Sequence, residues 1–240
     1  MTDESVKKVL WWVCLLLAPS VLVTIELFHP AGFSQHMYQY LSKPEPYNPQ
    51  YKALGYFGPQ WWFALHMIQT VMMGLVAVGL LLVVDKITSS DSRAATTFGW
   101  LSRFATFVFV VYYTALDSIG GIGLGKTIEI TERLSGDGTL GPDQVKAVET
   151  VLNATWNDPW VGGVGSFISQ TGSWAVFISA LTAAVGLFLA KRAPWPALVL
   201  LIAFGWELQV SHTMPHGPIA FALLIIAGFW IWLKRKPSTA

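Results

Sequence analysis

The sequence predicts an all-α integral membrane protein, a bundle of about six transmembrane helices with both termini cytoplasmic and two long extracytoplasmic loops. Three observations predict it. Hydrophobic residues fill 53% of the 240 positions and charged residues only 12%, about half the charged share of an average soluble domain. The apolar residues gather into six runs of near-spanning length. Lysines and arginines divide unevenly between the segments that join those runs.

The first run, Val9–Phe28, follows Lys7 and Lys8 and begins like a signal peptide. It continues too long and lacks a small-residue cleavage site, so it reads as a retained span. The next three runs are Trp61–Val84, Phe104–Ile122 and Val164–Ala190. The last two, Pro194–Val210 and Pro218–Leu233, are short, and their link Ser211–Gly217 is expected to dip into the lipid boundary. The outer loop 29–60 is rich in Pro and Tyr, including Pro44–Pro49, and is expected to be irregular. The second outer loop, 123–163, carries a short helical pattern over Asp143–Val151, after Gly141-Pro142. Trp156 and Trp160 follow it and suit a membrane interface. No internal repeat is visible, so residues 1–240 read as a single membrane domain, and an inverted-repeat transporter is disfavoured.

Six spans with both ends inside leave Lys7, Lys8, Lys86, Arg93, Arg103, Lys191, Arg192, Lys234, Arg235 and Lys236 on the inner side. The outer side holds Lys43, Lys52, Lys126, Arg133 and Lys146, spread over much longer loops. Cytoplasmic flanks carry the basic excess, so the expected setting is the plasma membrane with cytoplasmic termini.

Composition also excludes function classes. A net charge of +1 gives no electrostatic footprint for nucleic acid. The one cysteine, Cys14, excludes an internal disulfide framework and a cysteine zinc ribbon. Gly120–Thr127 satisfies the phosphate-loop pattern, but that loop needs a buried strand before it. Here a membrane helix precedes it and the segment faces outward, so nucleotide binding is declined. Asn153-Ala154-Thr155 is a sequon, meaningful only in a eukaryotic secretory setting. Trp11-Trp12, Trp61-Trp62 and Trp230/Trp232 read as interface anchors.

Depth is the informative measure. Counting 1.5 Å per helical residue from the inner charge of each span puts His29, His66, His212 and His216 at about 27 to 31 Å. Four histidines from four segments thus share one level near the outer boundary. Asp117 and Glu207 lie deeper, at about 21 to 22 Å, with Glu26 at about 27 Å. His36 is a loop histidine. Ionisable residues in a span are costly and usually face the bundle interior. These three carboxylates have no Lys or Arg beside them in their spans, so each needs a proton, a histidine partner or a cation.

Imidazole with carboxylate is a ligand set for zinc, copper or iron. His66 is the strongest candidate, with Gln69 at i+3 expected to orient it. Glu26 and His29 at i, i+3 would share a helix face. His212 and His216 form an H-x-x-x-H pair, which Pro215 and Pro218 place in a turn rather than on a helix. Asp117, Glu207 and Glu26 are the candidate acid–base groups. Gly121-x-x-x-Gly125 is a small-residue packing pattern.

The leading expectation is a membrane metalloprotein whose metal site faces the extracytoplasmic side, possible as an enzyme on a lipid or other hydrophobic substrate. Haem b held by His66 with His212 or His29 is the alternative cofactor, giving an electron-transfer protein. A non-catalytic subunit tied to other membrane subunits is a further reading. So is a metal or ion transporter, although no inner polar site matches the outer one.

Overall fold

The computed structural model describes residues 3–30, 34–43, 58–88 and 91–233, and every regular element among them is a helix. Pro44–Pro49 and Lys234–Lys236 lie outside the described residues. Helix α1 (Asp3–Trp12) passes through a π-helical stretch, Val13–Leu17, into α2 (Ala18–Glu26). A short α3 (Met37–Ser42) follows, then the long α4 (Gly58–Val84). Helix α5 (Arg93–Leu116) continues through a second π-helical stretch, Asp117–Gly123, into α6 (Leu124–Gly136). The rest are α7 (Pro142–Trp156), α8 (Phe167–Leu189), α9 (Trp195–Val210) and α10 (His216–Leu233).

Among the described residues, five segments are long and apolar enough to cross a membrane: Glu4–Glu26, Gly58–Val84, Arg93–Gly136, Phe167–Leu189 and His216–Leu233. Helix α9 is apolar but has 16 residues, just short of the roughly 17 that a span needs.

Two expectations are corrected. The third run does not stop at Ile122, because helix continues for 44 residues from Arg93 to Gly136. At 1.5 Å per residue that is about 66 Å, twice the roughly 30 Å hydrocarbon core. Gly120, Gly121 and Gly123 look like an end in sequence. The π-helical turn keeps their backbone bonded instead, and the Leu124 N–H reaches the carbonyls of Gly121 and Ile119. The two long loops are also less irregular than expected. Loop 29–60 contains α3, and loop 123–163 contains α6 and an α7 longer than Asp143–Val151. Pro142 opens α7, and the Gly141 N–H donates to Gln144 Oε1 at 2.9 Å.

The chain divides into two compact units. One comprises Met1–Leu27, Val71–Val111 and Gly172–Ala240. Its helices approach closely at small residues: a Cβ on Gly79 would lie 2.8 Å from Leu15, and one on Gly228 3.2 Å from the same side chain. With no water to drive association, such close packing and interhelical hydrogen bonds hold membrane helices together. Thr106 Oγ1 lies 2.6 Å from Ser179 Oγ, and the Ser102 hydroxyl donates to the Ser179 carbonyl at 3.0 Å. Trp11 is fully buried, 6.0 Å from Trp232, so it is an interior residue rather than the interface anchor its position suggests. Arg192 pairs with Asp91 at 3.1 Å and Lys7 with Asp85 at 3.6 Å.

The other unit comprises Phe28–Thr70 and Tyr112–Thr171. Its core joins Met37, Tyr38, Tyr40 and Leu41 of α3 to Trp62, Leu124 and Ile128, with Leu152 and Trp156 packed against them. Polar contacts pin α3 further. The Tyr38 hydroxyl donates to Glu132 at 2.5 Å, and its N–H donates to Asn153 Oδ1 at 3.0 Å. Asn153 Nδ2 in turn donates to Gln39 Oε1 at 3.1 Å, so the sequon asparagine is engaged in packing α3.

Candidate metal site

Two of the four level histidines, His29 and His66, belong to the unit built around α3, with Asp117. Both imidazoles are buried, at 3% and 4% exposure, and Asp117 is at 1%. His66 lies on α4 one turn after Trp62. Its Nδ1 is 2.7 Å from the Trp62 carbonyl. A carbonyl only accepts, so Nδ1 carries the hydrogen and Nε2 keeps the lone pair. His29 lies beyond the end of α2, and its Nδ1 is 2.9 Å from the Pro30 carbonyl, which fixes the same tautomer. The two rings meet edge to face with centroids 5.3 Å apart. A ring nitrogen of each lies within 4.8 Å of the other. Tetrahedral coordination with bonds of 2.0 to 2.1 Å needs about 3.3 Å between ligand nitrogens.

Trp62 organises this pair. Its ring centroid is 4.5 Å from His66 and 5.2 Å from His29. Its indole N–H donates to the Gly120 carbonyl at 3.0 Å, tying α4 to the π-helical stretch. Gly121 lies against the His66 ring, where an added Cβ would stand 2.3 Å from Cγ and Cδ2. Gly125 faces Phe63 N and the Pro59 carbonyl, each 3.0 Å from a Cβ built there. The Gly121-x-x-x-Gly125 pattern thus packs this helix against α4.

A polar layer continues along α4. The Thr70 hydroxyl lies 2.8 Å from the His66 carbonyl and 3.1 Å from Asp117 Oδ2. Gln69 Nε2 donates to the Tyr113 hydroxyl at 2.5 Å. The expectation that Gln69 orients His66 is therefore corrected: the Trp62 carbonyl holds the ring, and Gln69 serves Tyr113. Trp62 itself is 2% exposed, an interior residue rather than an interface anchor.

The remaining candidates belong to the first unit. Glu26 is the last residue of α2 and is fully buried. Because the helix ends there, Glu26 and His29 do not share a helix face as the i, i+3 spacing suggested. His212 lies in the turn between α9 and α10, where the Ser211 and Thr213 hydroxyls are 2.9 Å apart. His216 opens α10, and its Nδ1 is 2.7 Å from Glu207 Oε2. The H-x-x-x-H pair is accordingly split between a turn and a helix start. His36 precedes α3 and is exposed. Thr70 escaped the sequence reading, and Trp62 was taken for an anchor; they sit four residues either side of His66, a spacing that would have found both.

No family model, curated protein or solved structure matches this chain. Fold and site therefore define its class: a helical protein with segments long and apolar enough to cross a membrane, carrying a buried, tautomer-fixed histidine pair. Imidazole nitrogens are ligands that suit zinc, copper or iron.

Proposed function

We propose that this chain is a membrane metalloprotein holding a zinc, copper or iron ion on His29 and His66. One observation carries the reading: two buried imidazoles, each held at Nδ1 by a carbonyl, present nitrogens within 4.8 Å of each other. Ligating histidines characteristically use the second nitrogen in this way. Two imidazoles leave coordination positions for water, oxygen or substrate, unlike a closed four-ligand structural site. The basic residues favour placing this site on the extracytoplasmic side.

The activity we infer is that of an enzyme on a hydrophobic substrate that reaches the site from the membrane. Zinc would supply hydrolysis there, and iron or copper oxidation. Asp117 serves as a proton carrier. Its Oδ2 accepts from the Thr70 hydroxyl at 3.1 Å, and the same hydroxyl reaches the His66 carbonyl at 2.8 Å, which places the carboxyl group beside the ligand helix. Glu207 with His216 forms a second acid–base pair, and Glu26 is the remaining buried carboxyl group. Haem is the weaker reading, since the His29 and His66 rings touch edge to face and a macrocycle would have to pass between them.

Elemental analysis and an absorption spectrum of protein purified in mild detergent without added metal test the proposal. The expected result is stoichiometric metal without a Soret band. Metal should fall to about a tenth or less in His66→Ala and His29→Ala and be retained in His36→Ala. Equal content in the His66 and His36 variants, or metal-free wild-type protein, would overturn it. A Soret band would shift the site to haem.

A further inference from the structure

A cavity of about 90 Å³ lies in the unit built around α3, between the π-helical stretch, α6, α7 and the loop that follows α7. Its walls include Ile119, Leu124, Leu152, Trp156 and Val161, with Gly120 and Gly162 forming bare backbone between them. Thr127 and Thr155 are its hydroxyl-bearing neighbours. Ile119 and Val161 are each more than a third exposed, and so is the adjacent Trp160, so apolar surface leads to the cavity from outside.

The glycines make this space. A Cβ on Gly120 would lie 3.3 Å from the Trp156 ring, and one on Gly163 would lie 2.3 Å from it. Trp156 is therefore clasped between two stretches of bare backbone and cannot swing in to fill the gap. One residue joins the cavity to the histidine pair. Trp62 donates to the Gly120 carbonyl, packs 4.5 Å from His66 and stands 6.3 Å from Trp156.

Volume decides what the cavity can take. An apolar cavity of about 150 Å³ holds benzene, with six carbons, so about 90 Å³ holds roughly three or four. A phospholipid chain is several times too large. Its terminal methyl also lies near the bilayer centre, whereas Gly120 is about 26 Å along the helix from Arg103, close to the outer boundary. We propose that this cavity is a binding site for a short alkyl molecule of three or four carbons. The inference rests on the metal-site reading for its role, since it narrows the hydrophobic substrate of that site to a small one.

The test is photolabelling in lipid nanodiscs with alkyl diazirines of three to eight carbons, mapped by mass spectrometry, with metal content measured on the same samples. The three- and four-carbon probes should label Leu152, Trp156 and Val161 about tenfold above the exposed Phe104 and Phe107, and the eight-carbon probe should show no such excess. Thr155→Trp and Thr127→Trp, both at exposed positions, should abolish the excess by filling the cavity. Labelling that rises with chain length equally at all five positions would overturn the proposal. So would an excess that survives in whichever filled variants fold. Excess labelling in metal-free protein would keep the pocket and sink the metal site, so the two failures are separable.

Discussion

Gly121→Ala puts one methyl group where the His66 ring stands. A Cβ at 121 would lie 2.3 Å from Cγ and Cδ2 and 2.7 Å from Cβ of His66. Ordinary contact begins near 3.4 Å, so the ring must retreat by 3.4 − 2.3 = 1.1 Å. It cannot do so while Nδ1 stays 2.7 Å from the Trp62 carbonyl and the Trp62 ring stays 4.5 Å away. Either the helices separate or the imidazole leaves its hydrogen bond. Overpacking of this kind costs about 1 to 3 kcal/mol, and losing the hydrogen bond that orients a ligating imidazole lowers metal affinity about 10- to 100-fold. Gly74→Ala is the control, because an added Cβ there meets nothing within 4 Å. Alanine should stabilise that helix by up to about 1 kcal/mol. Denaturation in detergent with metal titration of both variants gives the two readings. If Gly121→Ala matches Gly74→Ala in stability and metal affinity, the ring is not held where the structure puts it, and the argument for a preorganised ligand fails.

Burial, and then the hydrogen bond to Glu132, raise the Tyr38 phenol above its ordinary value. Ionisation therefore favours the unfolded chain. The contribution is intact below about pH 10 and is lost as pH climbs through the raised folded value. Unfolding midpoints between pH 9 and 11.5 should fall more steeply in wild type than in Tyr38→Phe, and parallel curves would refute this. Asp91 runs the other way. The Thr88 N–H first, and Arg192 with it, hold its carboxyl below the ordinary value, so its contribution is present above about pH 4 and lost as pH falls. Asp91→Asn should flatten the acid limb. The inferred orientation is checked by a cysteine at the exposed Ser135, which should react with an impermeant thiol reagent from outside, while one at Ser90 should not. The opposite pattern would invert the topology.

The apolar runs were legible because a span needs a length of hydrocarbon-compatible sequence and little else. Their ends were not. Ile122 looked like a terminus because glycine and then Lys126 follow it, yet helix at Asp117–Gly123 survives by widening to a π turn. Glycine weakens a helix only where nothing else replaces the lost propensity, and here Gly121 against His66 and Gly125 against Phe63 replace it with packing. Counting alone brought His29 and His66 forward together before any contact was known, and the structure sets their rings edge to face. Counting gives depth but not azimuth, so it could not say that Glu207 would take His216 or that Gln69 would turn to Tyr113. Nor could it find Trp62, because a tryptophan in a Trp-Trp pair at a span end looks like an anchor until its burial is known.

Whether the paired histidines are only adhesive between helices can be judged from where their hydrogen bonds go. The protein's own adhesive is visible at Ser102, Thr106 and Ser179, whose hydroxyls reach from α5 to α8. His66 spends Nδ1 differently, on the carbonyl of Trp62 four residues back in its own helix. His29 spends its Nδ1 on the next residue, Pro30. Neither bond draws two helices together, and each fixes a tautomer and a ring direction. A buried imidazole is costly at this depth, and Gly121 leaves a methyl-sized space for this one that no smaller side chain would need. Two rings held at Nδ1, with a ring nitrogen of each within 4.8 Å of the other, fit the metal reading proposed above better than they fit a helix tie.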